Sequence, residues 1–434
     1  MSDSLLQSTV SRLEHHTSVA RSPRARCTIV WPRELSAAVE LDDRPIVLGR
    51  AGDVSLAHKT VSRAHAKLQW DPARGAHALE DLGSHNGTSV NRRRISSPIA
   101  LASADVLRLG DVLAVYERVD HPTVSSTNVD EVFGRAAVLD GLRASIESAS
   151  RDLAPTLILG ETGTGKERVA QAIHRLSARP GRLVAVNCAA LSPQLFESQL
   201  FGHVKGAFTG AGEAREGLFR AADHGTLLLD EIGDLALELQ PKLLRAIEAR
   251  ESLAVGATRP VSVSVKVVAA THRDLRAAVL AGTFRADLYG RLSGRELRVP
   301  SLRERAVDVL DWLDRFAHGA RVELRADDAE ALVCARWSLN LRAVDRLARE
   351  LGERREGETS ARALPAWLED EIDPQNQMEP DSSDTAARPA PDRAEFLAAY
   401  EAHGGSVRAL AKHFGRDRRQ IYRWVDAYGL RASR

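Results

Sequence analysis

The chain has 434 residues, 44% hydrophobic and 27% charged, which predicts two to four soluble globular domains. Lys and Arg total 60 against 59 Asp and Glu, a net charge of +1. That excludes a wholesale polyelectrolyte partner and moves the question of charge to single segments. The three cysteines, Cys27, Cys188 and Cys334, lie far apart. They fit no metal-ligand spacing and predict reduced thiols in a cytoplasmic compartment. The first residues hold no long apolar core, so no signal peptide is expected. No run has the apolar length of a membrane span, so no membrane partner is expected.

The first 25 or so residues are polar and predicted to be loose. From Cys27 short β-rich runs alternate with turns, the pattern of a β-sandwich. Thr28-Ile29-Val30-Trp31, Ile46-Val47-Leu48, Ala66-Lys67-Leu68-Gln69-Trp70 and Val112-Leu113-Ala114-Val115-Tyr116 are the candidate strands. Polar clusters lie between them: Leu48-Gly49-Arg50, Val61-Ser62-Arg63-Ala64-His65, and Gly83-Ser84-His85-Asn86-Gly87-Thr88. Three such motifs in this order resemble the forkhead-associated (FHA) domain, whose loops read phosphothreonine, over about residues 26–118. A phosphothreonine carries about −1.5 to −2 charges and wants a guanidinium with hydroxyl and amide donors. The resemblance implies that Arg50 and Ser62 contact the phosphate with Arg63 beside it, and that Asn86 holds the peptide backbone. It makes Gly49 and His65 scaffold residues, His65 tying loops together. The alternative is a retained fold without phosphate binding, in which Asn86-Gly87 is a plain turn.

Residues 121–131 have linker composition. An apolar run, Thr156-Leu157-Ile158-Leu159, then leads into GETGTGKE, which is Gly160, Glu161, Thr162, Gly163, Thr164, Gly165, Lys166 and Glu167. A helical pattern follows through Val169, Ile173 and Leu176. Strand, glycine loop and helix make a phosphate cradle, with Lys166 reaching the outer phosphates. Gly225-Thr226-Leu227-Leu228-Leu229-Asp230-Glu231 reads as a strand ending in two acids, Asp230 to hold magnesium and Glu231 to polarise water. VKVVAATH, residues 265–272, is a further buried strand, and His272 at its tip carries little weight alone. Residues 284–292, FRADLYGRL, offer Arg285 and Arg291 as fingers into a neighbouring subunit's nucleotide, each worth ~10³ or more in rate. A helical lid is expected from about Ser301, with Val309, Leu313 and Phe316 as its apolar stripe. Arg342, in WSLNLRAV, would meet the phosphates from the lid.

Residues 197–211, ESQLFGHVKGAFTGA, end in Gly206, Ala207, Phe208, Thr209, Gly210 and Ala211. GAFTGA has no place in phosphate chemistry. It resembles the signature loop of bacterial enhancer-binding proteins, the AAA+ ATPases that remodel the sigma-54 form of RNA polymerase. The phosphate loop, LLLDEI, residues 300–305 (PSLRER) and VNCAAL resemble the same family, over about residues 133–350. In that family Asn187 of VNCAAL would couple Glu231 to the loop. The sequence departs from the pattern at Val204, where the family has an acid. It departs again at WSLNLRAV, where the family has WPGNVREL. The second change puts the geometry of the lid in question.

Residues 373–392 read as a disordered acidic linker. Beyond it residues 396–400 start a helix, Val407, Leu410, Ala411 and Phe414 face inward on a second, and Ile421, Trp424, Val425 and Tyr428 on a third. The third carries Arg418, Arg419, Gln420 and Arg423 outward, a basic recognition helix for the major groove. The layout is similar to the Fis-type helix-turn-helix that ends most sigma-54 activators.

The expected fold is multidomain. A β-sandwich (26–120) precedes an α/β AAA+ ATPase (132–300) with a helical lid (301–372), then a linker (373–392) and an all-α helix-turn-helix (393–434). The resemblance implies an ATP- and Mg2+-dependent transcriptional activator in a bacterial cytoplasm. Its partners would be the sigma-54 RNA polymerase holoenzyme, enhancer-type double-stranded DNA, a phosphothreonine-containing protein, and copies of itself, from dimer to hexameric ring. Two readings stay open beside it: a DNA-binding regulator independent of sigma-54, and an FHA adaptor with a degenerate ATPase.

Overall fold

The computed structural model describes residues 25–119, 129–189, 193–208, 211–318, 322–352, 364–372 and 393–403, with residues 410, 413, 414, 424 and 425. These fall into two compact units, Met1–Gln377 and Met378–Arg434. Among the described residues no helix is long and apolar enough to cross a membrane.

The first unit opens with two facing sheets. One, of six strands, runs Ala38–Leu41, Ala25–Trp31, Val112–Arg118, Asp105–Leu109, Thr88–Val90, Arg93–Arg94; the other, of five, is centred on Ile46–Gly49, Ala66–Asp71 and Ala76–Asp81. Side chains alternate across a strand. Cys27, Ile29, Val112, Ala114 and Tyr116 therefore point into the sandwich with Leu48, Leu68 and Leu79. The four candidate strands all form. The short strands of the sandwich, Thr88–Val90 among them, carry too few residues to show a period.

The α/β part is a five-stranded parallel sheet in the order Leu183–Asn187, Thr226–Asp230, Lys266–Thr271, Thr156–Leu159, Arg295–Arg298. The middles of its central strands, residues 227–229, 267–270 and 157–159, are apolar because helices cover both faces. Their carboxyl ends deliver Gly160, Asp230 and Thr271 to one edge, where such sheets hold ligands. Past Arg295–Arg298, Ser301 and Glu304 form a reciprocal capping box at the start of the short helix Leu302–Asp308. Lid helices Val309–Phe316, Ala326–Val333 and Leu341–Gly352 follow.

The sandwich and the lid share one core. Val30, Val106, Leu113 and Val115, on the outer face of the six-stranded sheet, are buried in the same apolar cluster as Leu310, Ala329, Leu332 and Val333. Polar contacts ring it. Arg33 pairs with Asp314 at 2.9 Å, Arg135 donates to Ser36, and Arg108 pairs with Asp327 and Glu330, each at 2.7 Å. Two buried carboxylates sit at the seam. Glu117 accepts from the Ala137 amide at 2.9 Å, and Asp308 accepts from Arg135 and Ala136 at 2.7 and 3.1 Å. Burial first, and Asp308 nearby, push the Glu117 carboxyl up to about 7 from 4.5. A carboxyl raised on folding is protonated in both states below the unfolded value. As pH rises from 4.5 to 7 the unfolded chain sheds the proton first, so stability falls across that window. Glu117→Gln removes this term. Relative to its value at pH 3, where the group is protonated in both states, the stability of the variant over wild type rises by about 3 kcal/mol by pH 8. Denaturation midpoints of both proteins at those pH values measure it, and parallel pH profiles would refute the assignment.

In the second unit the described residues form the helix Arg393–Ala402 and an apolar cluster of Phe396, Ala399, Leu410, Trp424 and Val425. Phe414 stacks on Phe396 with ring centroids 5.5 Å apart. Arg418, Arg419, Gln420, Arg423 and the 373–392 linker lie outside the described residues.

Candidate functional site

The loop after Thr156–Leu159 turns on two left-handed glycines, Gly163 (φ +79) and Gly165 (φ +101). A Cβ on Gly163 would stand 2.1 Å from the Leu339 carbonyl oxygen, so lid and loop approach as closely as a missing side chain allows. Lys166 opens the helix Lys166–Leu176. Its ammonium donates to the carbonyls of Gly160 and Glu161 at 2.9 and 3.2 Å and lies 4.0 Å from Glu231. Burial holds the Lys166 ammonium below its usual range. Asp230 is pushed up, by burial first and then by Glu231. Glu231 sits at φ +52, and its carboxylate meets Nδ1 of His272 at 2.7 Å. A cleft of about 270 Å³ joins Thr162, Gly163, Lys166, Asp230, Glu231 and Arg342. Of the residues expected around the nucleotide, Thr162, Gly163, Gly165, Lys166, Glu167, Asp230, Glu231 and Arg342 line this cleft, and Gly160, Glu161 and Thr164 do not.

The lid is stapled to the loop. Asn340 donates to the Thr162 carbonyl at 3.0 Å and to Glu161 at 3.1 Å. Arg303 also pairs with Glu161, so the Glu161 side chain is occupied by protein groups. At WSLNLRAV the chain forms a tight turn. Asn340 donates its amide to the Trp337 carbonyl at 2.6 Å, with positive φ at Trp337 and Asn340. Ser338 and Leu339 stand outside that region, so the lost Pro-Gly needs no left-handed residue between them.

Arg285 stands at the N-terminus of the helix Ala286–Leu292 and Arg291 in its last turn, and neither lines its own chain's cleft. Arg285 is exposed and pairs in a fork with Asp287 at 2.7 and 3.0 Å. Arg291 lines a separate cavity of about 450 Å³ with Asp152, Phe219 and Arg250. Asn187 lies beside Asp230 in the sheet, but its side chain accepts from Ala189 at 2.8 Å. Glu231 pairs with His272 instead.

Phe208 is 43% exposed, its ring edge-on to His203 at 5.0 Å. Hydrogen bonds from Gly206 to Ala211 and from Ala211 to Phe208 close the loop on itself above the two-stranded base Gly202–His203 and Arg215–Glu216. Thr209 and Gly210 lie outside the described residues.

On the sandwich, His65 is fully buried. Its ring accepts from the Ser62 amide at 3.0 Å and meets the Gly87 carbonyl at 3.1 Å, tying the two loops together. Burial lowers its pKa, which suits a neutral ring with one donor and one acceptor nitrogen. The Arg50 amide donates to the Ser62 carbonyl at 2.9 Å, and the Ser62 hydroxyl accepts from the His85 amide at 3.1 Å. Asn86 donates to the Thr60 carbonyl at 2.7 Å. Arg50, Ser62, Arg63 and Asn86 therefore stand on adjoining loops at one end of the sandwich.

Sequence reasoning missed several residues here. His272 carried too little weight, although it occupies the tip of the strand beside Asp230–Glu231. Thr60 showed no motif. Asp345 and Phe316, which line the cleft, were findable: Asp345 follows Arg342 by three and so shares its helix face.

Comparisons with known proteins agree in kind. The family model of the Sigma-54 interaction domain matches residues 132–298, that of the FHA domain residues 46–110, and that of the Homeodomain-like domain residues 389–432. The transcriptional regulatory protein ZraR of Escherichia coli (strain K12) is 41% identical over 309 residues, 69% of each chain. The response regulator protein PilR of Pseudomonas aeruginosa is 47% identical over 207 residues, 47% of this chain and 46% of that one. The crystal structure of NtrX from Brucella abortus in complex with ATP superposes with a TM-score of 0.50 at 29% identity. It covers 69% of this chain and 70% of that one. With its sigma-54 interaction domain set between an FHA domain and a helix-turn-helix, the chain belongs to the sigma-54-dependent transcriptional regulators.

Proposed function

We propose that this chain is an ATPase that activates transcription by remodelling the sigma-54 RNA polymerase holoenzyme from an upstream DNA site, under control of a phosphothreonine signal. The observation that carries the reading is the single cleft joining Lys166, Asp230, Glu231 and Arg342, in the same domain as an exposed Phe208 at a loop tip.

Bound ATP would draw the Lys166 ammonium from the Gly160 and Glu161 carbonyls onto its outer phosphates. The residues present fit a magnesium ion. Asp230 and Glu231 offer carboxylate oxygens beside the phosphate loop, and Asp230, whose anion burial disfavours, gains most from a cation. Among the described residues no three His, Cys or carboxylate groups form a metal cage; magnesium at such a site completes its shell with phosphate and water oxygens. Asp230 would hold the ion, which when bound neutralises phosphate charge. Glu231 takes the proton of the attacking water once it leaves His272. Arg342 meets the phosphates from the lid. Arg285 and Arg291 point into the next subunit's cleft, so hydrolysis requires the ring, in the cytoplasm of a bacterial cell. Phe208 and Thr209 carry the motion to sigma-54, with Asn187 between loop and Glu231. Arg418, Arg419, Gln420 and Arg423 grip DNA, and phosphate contacts supply most of the affinity. Arg50, Ser62, Arg63 and Asn86 take the phosphothreonine.

Purified holoenzyme, a sigma-54 promoter and ATP test this directly. Wild type yields ATP-dependent transcripts. Thr209→Ala yields none, while its ATPase stays within about twofold of wild type. Transcripts from Thr209→Ala at the wild-type level, or none from wild type with phosphothreonine partner present and ATPase running, would sink the sigma-54 reading.

A further inference from the structure

The phosphopeptide loops reach the ATP cleft through an unbroken series of contacts. Thr60 is gripped twice. Its carbonyl accepts from Asn86 at 2.7 Å, and its hydroxyl accepts from the Asp111 amide at 2.8 Å. The 110–111 turn packs hard against it: Gly110 has φ +60, and a Cβ there would lie 2.5 Å from the Thr60 carbonyl oxygen. Arg108 holds the other side of that turn, donating to the Gly110 carbonyl at 2.7 Å and to Asp111 at 3.3 Å. The same guanidinium crosses to the lid and pairs with Asp327 and Glu330.

Glu330 is only 5% exposed, and Arg108 is the one cation paired with it among the described residues. A buried carboxylate that loses its cation is costly, so the lid helix Ala326–Val333 is committed to where Arg108 stands. From that helix the Leu332 carbonyl accepts from the Trp337 indole at 3.0 Å. Trp337 sets the turn that places Asn340 on Thr162 and Glu161 of the phosphate loop. Arg342 follows two residues later in the cleft.

We propose that phosphothreonine binding and ATP binding are coupled through Thr60, the 110–111 turn and Arg108, each ligand changing the affinity of the other. The inference rests on the phosphothreonine reading given above and adds its route to the motor. A peptide carbonyl accepting from Asn86 competes for the amide that now holds Thr60. Thr60 carries the displacement to the 110–111 turn. Arg108 is shared between that turn and the lid acids, so a shift of the turn redivides its hydrogen bonds. In the structure Arg108 holds Gly110, Asp111, Asp327 and Glu330 together; the coupling requires that it redivide these bonds, toward Asp111 in one state and toward the lid acids in the other. Coupling of this kind is reciprocal, and factors of about 5 to 150 are typical.

The test uses the full chain with a pool of degenerate phosphothreonine peptides, its unphosphorylated counterpart, and a non-hydrolysed ATP analogue. Nucleotide affinity is measured with and without peptide, and peptide affinity with and without nucleotide. Wild type is expected to give the same factor, about 5 or more, in both directions. Arg108→Met combined with Glu330→Gln removes both charges, so no carboxylate is left buried alone. This variant is expected to bind each ligand singly as wild type does, with the factor falling to about one. An undiminished factor in the double variant overturns the route. Phosphate-dependent peptide binding by wild type with no change in nucleotide affinity overturns the coupling and leaves the phosphothreonine reading standing. No phosphate-dependent binding by wild type overturns both.

Discussion

Glu231→Gln binds ATP with wild-type affinity and hydrolyses it about 10²- to 10⁴-fold more slowly, the worth of a positioned general base. The substitution changes one atom and one charge. The backbone at φ +52 is retained, and glutamine still offers the His272 ring an acceptor in place of the 2.7 Å contact. Lys166, which supplies the ground-state attraction for phosphate, loses a carboxylate 4.0 Å away, so ATP affinity holds or rises. Uniform binding and transition-state chemistry are thereby separated: Kd stays and kcat falls. Fluorescent-nucleotide titration with single-turnover hydrolysis on the assembled protein measures both. Turnover within about threefold of wild type would place water activation on another group.

What the sequence disclosed follows from where chemistry restricts the choice of residue. Gly163 and Gly165 are legible because backbone at φ +79 and +101 admits little else. Asp230–Glu231 is legible because a buried apolar strand that ends in acids is rare without a cation to meet. The contacts that pose Glu231 were not legible. His272 lies 41 residues away, and a single histidine carries no spacing signal. The resemblance gives Asn187 a different task, coupling Glu231 to the GAFTGA loop; here its side chain accepts from the Ala189 amide.

The docking of sandwich on lid escaped for a different reason, and a signal for it existed. An antiparallel strand with one wet face alternates apolar and polar residues. Val112-Leu113-Ala114-Val115-Tyr116 does not alternate, and all five are buried. Val112, Ala114 and Tyr116 fill the sandwich while Leu113 and Val115 meet the lid. An unbroken run of this kind says that the second face is covered, though not by what. Arg108 gave no such sign, since one arginine among many reads as a solvated charge until its partners across the seam are known.

Trp337→Ala is the substitution with the largest expected cost in stability. Trp337 is wholly buried in the cluster that joins lid and sandwich, and removing such a ring leaves a cavity worth about 3–5 kcal/mol. The loss is local in origin: the indole also donates to Leu332, and without the ring the Trp337 backbone carbonyl, which accepts from the Asn340 amide, is no longer held in place. Loosening that turn frees Asn340 from Thr162 and Glu161, so nucleotide affinity falls along with lid stability. Trp337→Phe separates the two contributions. It keeps most of the volume and removes the indole donor from the Leu332 carbonyl, which still accepts from the Ala335 amide at 3.2 Å, a loss of about 0.5–1.5 kcal/mol. Hydrogen exchange of the Ala326–Val333 and Leu341–Gly352 helices reports the stability of the lid, and titration with a fluorescent ADP reports the cleft. Protection lost in both helices with ADP affinity unchanged would show that the lid does not bear on the phosphate loop through this turn. Weakened binding that tracks lost protection across alanine, phenylalanine and wild type would show that it does, and that WSLN builds a working lid without the Pro-Gly of its relatives.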